Sequence, residues 1–136
     1  MPRYMLDTDI CSFILKRSDD RVLKRLQAVA VAEVCISVVT AAELLYGVEI
    51  SPRRDQDAMA VEAFFRHIAV LDFPEEAAAH YADIRAALKR RGQMIGANDL
   101  FIAAHARSLN LILVTNNMRE FARVPALRTE NWNTAN

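Results

Sequence analysis

The sequence predicts an α/β domain in which a central parallel sheet of four to five strands is flanked by helices. Three observations predict it. Short apolar runs rich in branched residues, "VCISVV" at 34–39 and "LILVT" at 111–115 among them, have the composition of strands. These runs show no polar alternation, so both of their faces are buried. Between them lie segments whose apolar residues recur at helical spacing, the alternation that builds a parallel sheet covered on both sides.

Taken in order, Tyr4–Leu6 is a first buried strand, and Ile10, Phe13 and Ile14 have the spacing of a helix that follows it. Ser18-Asp19-Asp20 opens a second helix with Val22, Leu23 and Leu26 on one face. The second strand is 34–39, followed by a helix from Thr40 with Leu44, Leu45 and Val48 inward. Pro52 opens a helix whose Val61, Phe64, Phe65 and Ile68 face the core, and "IAVLDF" at 68–73 is the third strand. Pro74-Glu75-Glu76 starts a long helix, with proline and two carboxylates at its positive end and Tyr81, Ile84 and Leu88 inward. Lys89-Arg90-Arg91-Gly92 ends it, cations and then glycine. A helix from Asn98 to about Leu109 leads into the fourth strand, and "LRT" at 127–129 is a short edge strand.

The whole chain, 1–136, fits one domain. At 53% hydrophobic residues it can build a real core and still leave an apolar surface for a partner. Its 17 basic and 17 acidic residues cancel, so any nucleic-acid footprint must be local. Cys11 and Cys35 stand alone and read as reduced core thiols. No apolar run reaches the ~18 residues of a membrane span, and no basic segment introduces an apolar one, so a soluble cytoplasmic protein without membrane contact is expected. His67, His80 and His105 fall on different predicted helices without metal-site spacing and read as core-edge or surface residues.

The acidic residues carry the chemistry. Each has a local structural role open to it. Asp7 or Asp9 can cap the helix from Ile10, Thr40 and Glu43 fit a capping box, and Asn98 or Asp99 can cap the next-to-last helix. Their placement together says more. Asp7 follows the first strand, Glu43 starts the helix after the second, and Asp99 starts the helix before the fourth. Parallel strands gather all three at the carboxyl edge of the sheet, where ligands bind in such folds. Two like charges ~5 Å apart at an effective dielectric of ~20 repel by about 3 kcal/mol. A divalent cation removes that cost, and an all-oxygen ligand set suits Mg²⁺ or Mn²⁺.

"LDTDI", 6–10, resembles the DxD signature of haloacid-dehalogenase-type phosphatases, with Asp7 as nucleophile and Asp9 as general acid. Cys11 stands where that family usually has Thr or Val, and no lysine follows Lys89. The stronger resemblance covers nearly the whole chain. "YMLDTDI", 4–10, "ISVVTAAELLYGVE", 36–49, "IGANDLFIAAHARSLNLILVTNN", 95–117, and "REFARVPALRTENW", 119–132, resemble in order the motifs of PIN-domain ribonucleases, specifically VapC-type toxins of bacterial toxin–antitoxin pairs.

That resemblance implies a PIN-like fold and a Mg²⁺- or Mn²⁺-dependent endoribonuclease that cuts single-stranded or loop RNA, commonly tRNA, to stop translation and growth. Asp7, Glu43 and Asp99 would be the catalytic and metal-holding acids. A fourth acid usually follows the last strand; Asn117 stands there, with Asp9, Thr115, Asn116 and Glu120 as accessory candidates. The implied reaction is in-line attack of water on a phosphodiester, leaving a 5′-phosphate and a 3′-hydroxyl. Thr8, Ser37, Thr40 and Thr115 are candidates to orient water or phosphate. Lys89, Arg90 and Arg91 are the first candidates for RNA contact, with Arg53 and Arg54 next. A VapB-like antitoxin would wrap the toxin, fill the cleft with an arginine and carry any promoter DNA contact. A toxin homodimer is also implied, with the faces around 19–31 and 53–67 as contact surfaces. An inactive PIN-like binding module is the alternative that Asn117 supports.

Overall fold

The first strand, β1 (Tyr4–Leu6), is short, and its alternation sets both layers of the core. In the computed structural model, which describes residues 1–133, Tyr4 and Leu6 pack into one layer with Ile10, Ile36 and Val114. Met5 points the other way, to Cys35, Ile84, Leu88 and Leu113. Four further strands, β2 (Val34–Ser37), β3 (Ala69–Leu71), β4 (Ile112–Val114) and β5 (Thr129–Glu130), complete a sheet of order β3-β2-β1-β4-β5. Every pairing is parallel, as the unbroken apolar runs require.

Helices α1 (Thr8–Lys16), α2 (Asp20–Ala28), α3 (Val38–Glu49) and α4 (Arg54–His67) bury Ile10, Val22, Leu44 and Val61 in the first layer. Helices α5 (Ala77–Arg91) and α6 (Ala97–Ser108), with the short α7 (Met118–Phe121), bury Ile84, Leu88, Ile102 and Phe121 in the second. The chain winds outward from β1 to β3, then returns past β1 to lay down β4 and β5 on its other side. The switch point therefore falls between β1 and β4, and the residues just after these strands are Asp7 and Thr115. Among the described residues no helix is long and apolar enough to cross a membrane.

Several boundaries differ from the sequence reading. The second strand ends at Ser37, and Val38 and Val39 already belong to α3. Ser37 caps α3 by accepting from the Val39 amide at 3.0 Å, so Thr40 lies inside the helix and the predicted Thr40–Glu43 capping box does not form. The Ser37 cap starts the helix there, against the strand preference of the two valines. Leu45, expected inward, is 51% exposed. Gly96 precedes α6, which puts Asn98 and Asp99 inside the first turn rather than at the cap.

Pro74–Glu76 form a turn ahead of α5 rather than its first turn, with the Ala77 amide donating to the Pro74 carbonyl at 3.0 Å. The last strand sits at Thr129–Glu130, slightly beyond its expected place, and α7 had no periodicity to announce it in so few residues. The expected stop of α5 is present. Gly92 takes the left-handed conformation, φ 64°, immediately after Lys89-Arg90-Arg91.

Candidate active site at the carboxyl edge of the sheet

Asp7 is placed by the end of β1 and by the start of α1 at once. Its Oδ1 accepts from the Ile10 amide at 2.9 Å, so Asp7, not Asp9, is the helix cap. Its Oδ2 accepts from the Thr115 hydroxyl across the switch point. The Thr115 hydroxyl in turn accepts from the Asn117 amide at 2.8 Å, so the turn after β4 is tied to the carboxylate after β1. Asp7 is 4% exposed. Burial pushes its carboxyl up to about 6, against the two hydrogen bonds that favour the charged form, and the neighbouring charges of Asp9 and Glu43 push the same way.

Glu43 comes from α3. Its Oε1 accepts from the Thr8 hydroxyl, and its Oε2 accepts from the Asn98 amide at 3.4 Å. Asp99, in the first turn of α6, is raised to about 7. Burial contributes most, followed by a hydrogen bond to Glu120 and then by the charges of Glu120, Glu43 and Asp7. Glu120 is held in place by the Asn117 side chain, whose Nδ2 donates to Oε2 at 3.0 Å. The polar side chain that replaces an acid at 117 thus presents an acid from α7. Gly96 leaves room for this arrangement: a Cβ there would meet Asp99 Oδ2 at 3.3 Å.

Asp7, Thr8, Asp9, Glu43, Asp99, Asn117 and Phe121 line one cavity of about 190 Å³. The structure therefore brings together the three carboxylates expected from sequence, with Asp9 on the exposed rim. Phe121, which the sequence reading missed, also borders it. Asn116 does not join them; its Oδ1 accepts from Asn133 Nδ2 at 2.8 Å. Of the hydroxyls considered for water or phosphate, only Thr8 lines the cavity. Ser37, Thr40 and Thr115 are fully buried. Lys89, Arg90 and Arg91 lie exposed at the end of α5 and do not line the cavity, and Arg54 is paired with Glu49 at 2.9 Å.

Below the cavity, His105 is fully buried rather than at the core edge, and its Nδ1 is 2.8 Å from the Ser37 hydroxyl. That contact links the cap of α3, which carries Glu43, to α6, which carries Asp99. Burial lowers the His105 pKa, partly offset by the Asp72 backbone. Both cysteines are free and buried, and burial raises Cys35 to about 12, as inert core thiols require.

The donor set is all oxygen, and burial and neighbouring carboxylates disfavour the charged forms of Asp7 and Asp99, which fits a hard divalent cation. Among the described residues no group of three or more His, Cys, Asp or Glu side chains is already arranged to hold a metal ion. Thr8, Thr115, Asn98 and the Ile10 amide already occupy oxygens of Asp7 and Glu43, and they would have to be shared with an ion or released to it.

A PIN domain family model matches residues 4–127. Ribonuclease VapC2 of Haemophilus influenzae is 47% identical over 132 residues, covering 97% of this chain and 99% of the relative. The tRNA(fMet)-specific endonuclease VapC of Shigella flexneri is 46% identical with the same coverage. A crystal structure of DNA-bound VapBC from Salmonella typhimurium superposes with a TM-score of 0.92 at 41% identity, over 97% of this chain and 99% of that one. VapBC2 from Rickettsia felis, bound to a DNA fragment from its promoter, gives 0.88 at 37% identity, over 95% and 98%. Likeness of sequence, of fold and of length all lead to one family, and the chain belongs to the PIN domain family.

Proposed function

We propose that this chain is the toxin of a type II toxin–antitoxin pair, an endoribonuclease that cuts loop regions of RNA, with tRNA as the favoured substrate. The observation that carries the reading is the gathering of Asp7, Glu43 and Asp99 into one polar cavity at the switch point of the sheet. A relative 46% identical, a tRNA(fMet)-specific endonuclease, supports the substrate class.

Asp7, Glu43 and Asp99 would hold a Mg²⁺ or Mn²⁺ ion, with Glu120 beside Asp99 as the further acid. When bound, that ion supplies Lewis-acid stabilisation of the scissile phosphate and lowers the pKa of water. The chain's own residues orient and bind. Thr115 and the Ile10 amide fix Asp7, so its free lone pairs keep one direction. Thr8 and Asn98 fix Glu43 from two sides. Asn117 holds Glu120 beside Asp99, which supports Glu120 as the acid that position 117 does not supply. The exposed cations at 89–91 lie on the helix that leads into the Asp99 loop and are offered as contacts to the RNA backbone.

Complexes of relatives with VapB support a VapB-like antitoxin as partner, inserting an arginine among the carboxylates, with promoter DNA bound through the antitoxin and both proteins acting in the cytoplasm. A homodimer fits the exposed apolar residues Leu45, Ile50 and Met59 on α3, just after it and on α4.

Incubation of the antitoxin-free chain with total tRNA and Mg²⁺ or Mn²⁺, beside Asp7→Asn, tests the reading. Discrete metal-dependent cuts with 5′-phosphate ends, lost in the variant, are expected. A folded wild-type chain that cuts nothing with either ion would move the assignment to a binding module. Equal cutting by both proteins would remove Asp7 from the mechanism.

A further inference from the structure

Beside the acidic cavity a second recess of about 420 Å³ opens to solvent, lined by Thr8, Ala42, Glu43, Tyr46 and Asn98. Thr8 and Glu43 belong to both spaces, so the two adjoin across a single layer of side chains. Tyr46 lies one helical turn beyond Glu43 on α3 and is 65% exposed. Its ring differs from the other two tyrosines. Tyr4 packs edge-on against Trp132 with ring centres 5.4 Å apart, and Tyr81 stacks on Phe101 at 4.5 Å. Among the described residues the Tyr46 side chain makes no hydrogen bond and no ring contact. Asn98 donates one amide hydrogen to Glu43, and its carbonyl oxygen has no partner among the described residues.

We infer that this recess receives an unpaired nucleobase adjacent to the scissile phosphate, stacked on Tyr46 and read at its edge by the Asn98 amide. The inference rests on the ribonuclease reading above. Glu43 in the shared wall disfavours an anion in the recess, whereas a flat neutral ring gains the face of Tyr46 and the methyl of Ala42. An exposed amide carries both a donor and an acceptor, the pair that a base edge presents. The ligand must be single-stranded, because a base inside a duplex already has a neighbour on each face. Selection of loop RNA would then lie partly in this recess.

Anisotropy of a short fluorescein-labelled single-stranded oligoribonucleotide, titrated in EDTA with the antitoxin-free chain, reads binding without cleavage. Tyr46→Ala is expected to weaken binding roughly 5- to 100-fold, with Tyr46→Phe close to wild type, since stacking needs the ring and not the hydroxyl. With metal added, Tyr46→Ala should raise KM by a similar factor and leave kcat within about threefold, the pattern of a lost binding contact. Equal binding by wild type and Tyr46→Ala overturns the inference, as does a wild type that binds no oligonucleotide. A change of oligomeric state in Tyr46→Ala, measured by sedimentation, also overturns it and assigns the ring to a contact between copies. If the wild type binds and Tyr46→Ala does not, but neither cuts with metal, the recess stands and the nuclease reading fails.

Discussion

The two ends of α6 are built from charged side chains in opposite ways. At its first turn Asp99 sits among Glu120, Glu43 and Asp7, and its carboxyl is raised to about 7. At its last turn Arg107 donates from all three of its guanidinium nitrogens: to His80 Nδ1 and Asp83 Oδ2 at 2.8 Å and to the Pro125 carbonyl at 3.0 Å. The helix dipole favours an acid at one end and a cation at the other, so it cannot explain the difference. The neighbours do. Around Arg107 they complete a staple between α5, α6 and the segment before β5, and the group serves the fold. Around Asp99 they repel it. Charge conflict kept in a folded protein is a mark of a site awaiting a ligand of opposite sign.

The largest effect that would break this comparison is on cleavage. Asp7→Asn should lower it by more than ~100-fold, since even residues that only support metal ligands are commonly worth roughly 10–100-fold. The same change should stabilise the ion-free protein. The Asp7 carboxyl titrates near 3.8 unfolded and near 6 folded, so both states are protonated at low pH and no cost is present. The cost enters as pH rises above the unfolded value and is complete once pH passes the folded one. Two pKa units correspond to roughly 3 kcal/mol at most. Urea melts in EDTA should therefore show wild type losing stability from acid to neutral pH, with Asp7→Asn losing less of it.

Arg107→Met should cost about 1–2 kcal/mol in the same melts, because it strips donors from the half-buried His80 and Pro125 acceptors and from exposed Asp83, and should leave Mn²⁺ affinity unchanged. Glu120→Gln is a smaller perturbation. It should shift the Asp99 titration, followed by NMR, downward from about 7, and weaken cleavage by roughly tenfold. The smallest effect belongs to Arg25→Ala. Arg25 pairs with Glu130 at 3.0 Å and covers the Trp132 ring, but its side chain is 41% exposed, so the loss should stay near 1 kcal/mol.

The end of α6 that conflicts was more legible in the sequence than the end that is compensated. Asp7, Glu43 and Asp99 each followed or preceded a strand whose apolar run was unmistakable, and parallel pairing then forced them to one edge. Arg107 gave no such signal. Its partners His80, Asp83 and Pro125 lie on other elements, and no local pattern ties them to it. Caps were misplaced for a related reason. Ser37 acts as cap because β2 delivers it to the start of α3, whereas Thr40 only had the right spacing. His105 looked like a surface or edge residue until the Ser37 hydroxyl and the Phe73 ring, 5.4 Å away, gave it a buried environment. Glu120 was legible as an acid near the site, but its role depends on Asn117, and that hydrogen bond exists only once α7 forms.

Calorimetric titration of Mn²⁺ into the antitoxin-free chain tests the central claim most directly. The ion competes with protons on Asp7 and Asp99, which are raised to about 6 and about 7. Binding should therefore be weak below pH 6, tighten and release fewer protons as pH rises above 7, and be lost in Asp99→Asn. No heat of binding at any pH, or equal binding by wild type and Asp99→Asn, would contradict the account and leave the acidic cavity without an ion to explain its charge.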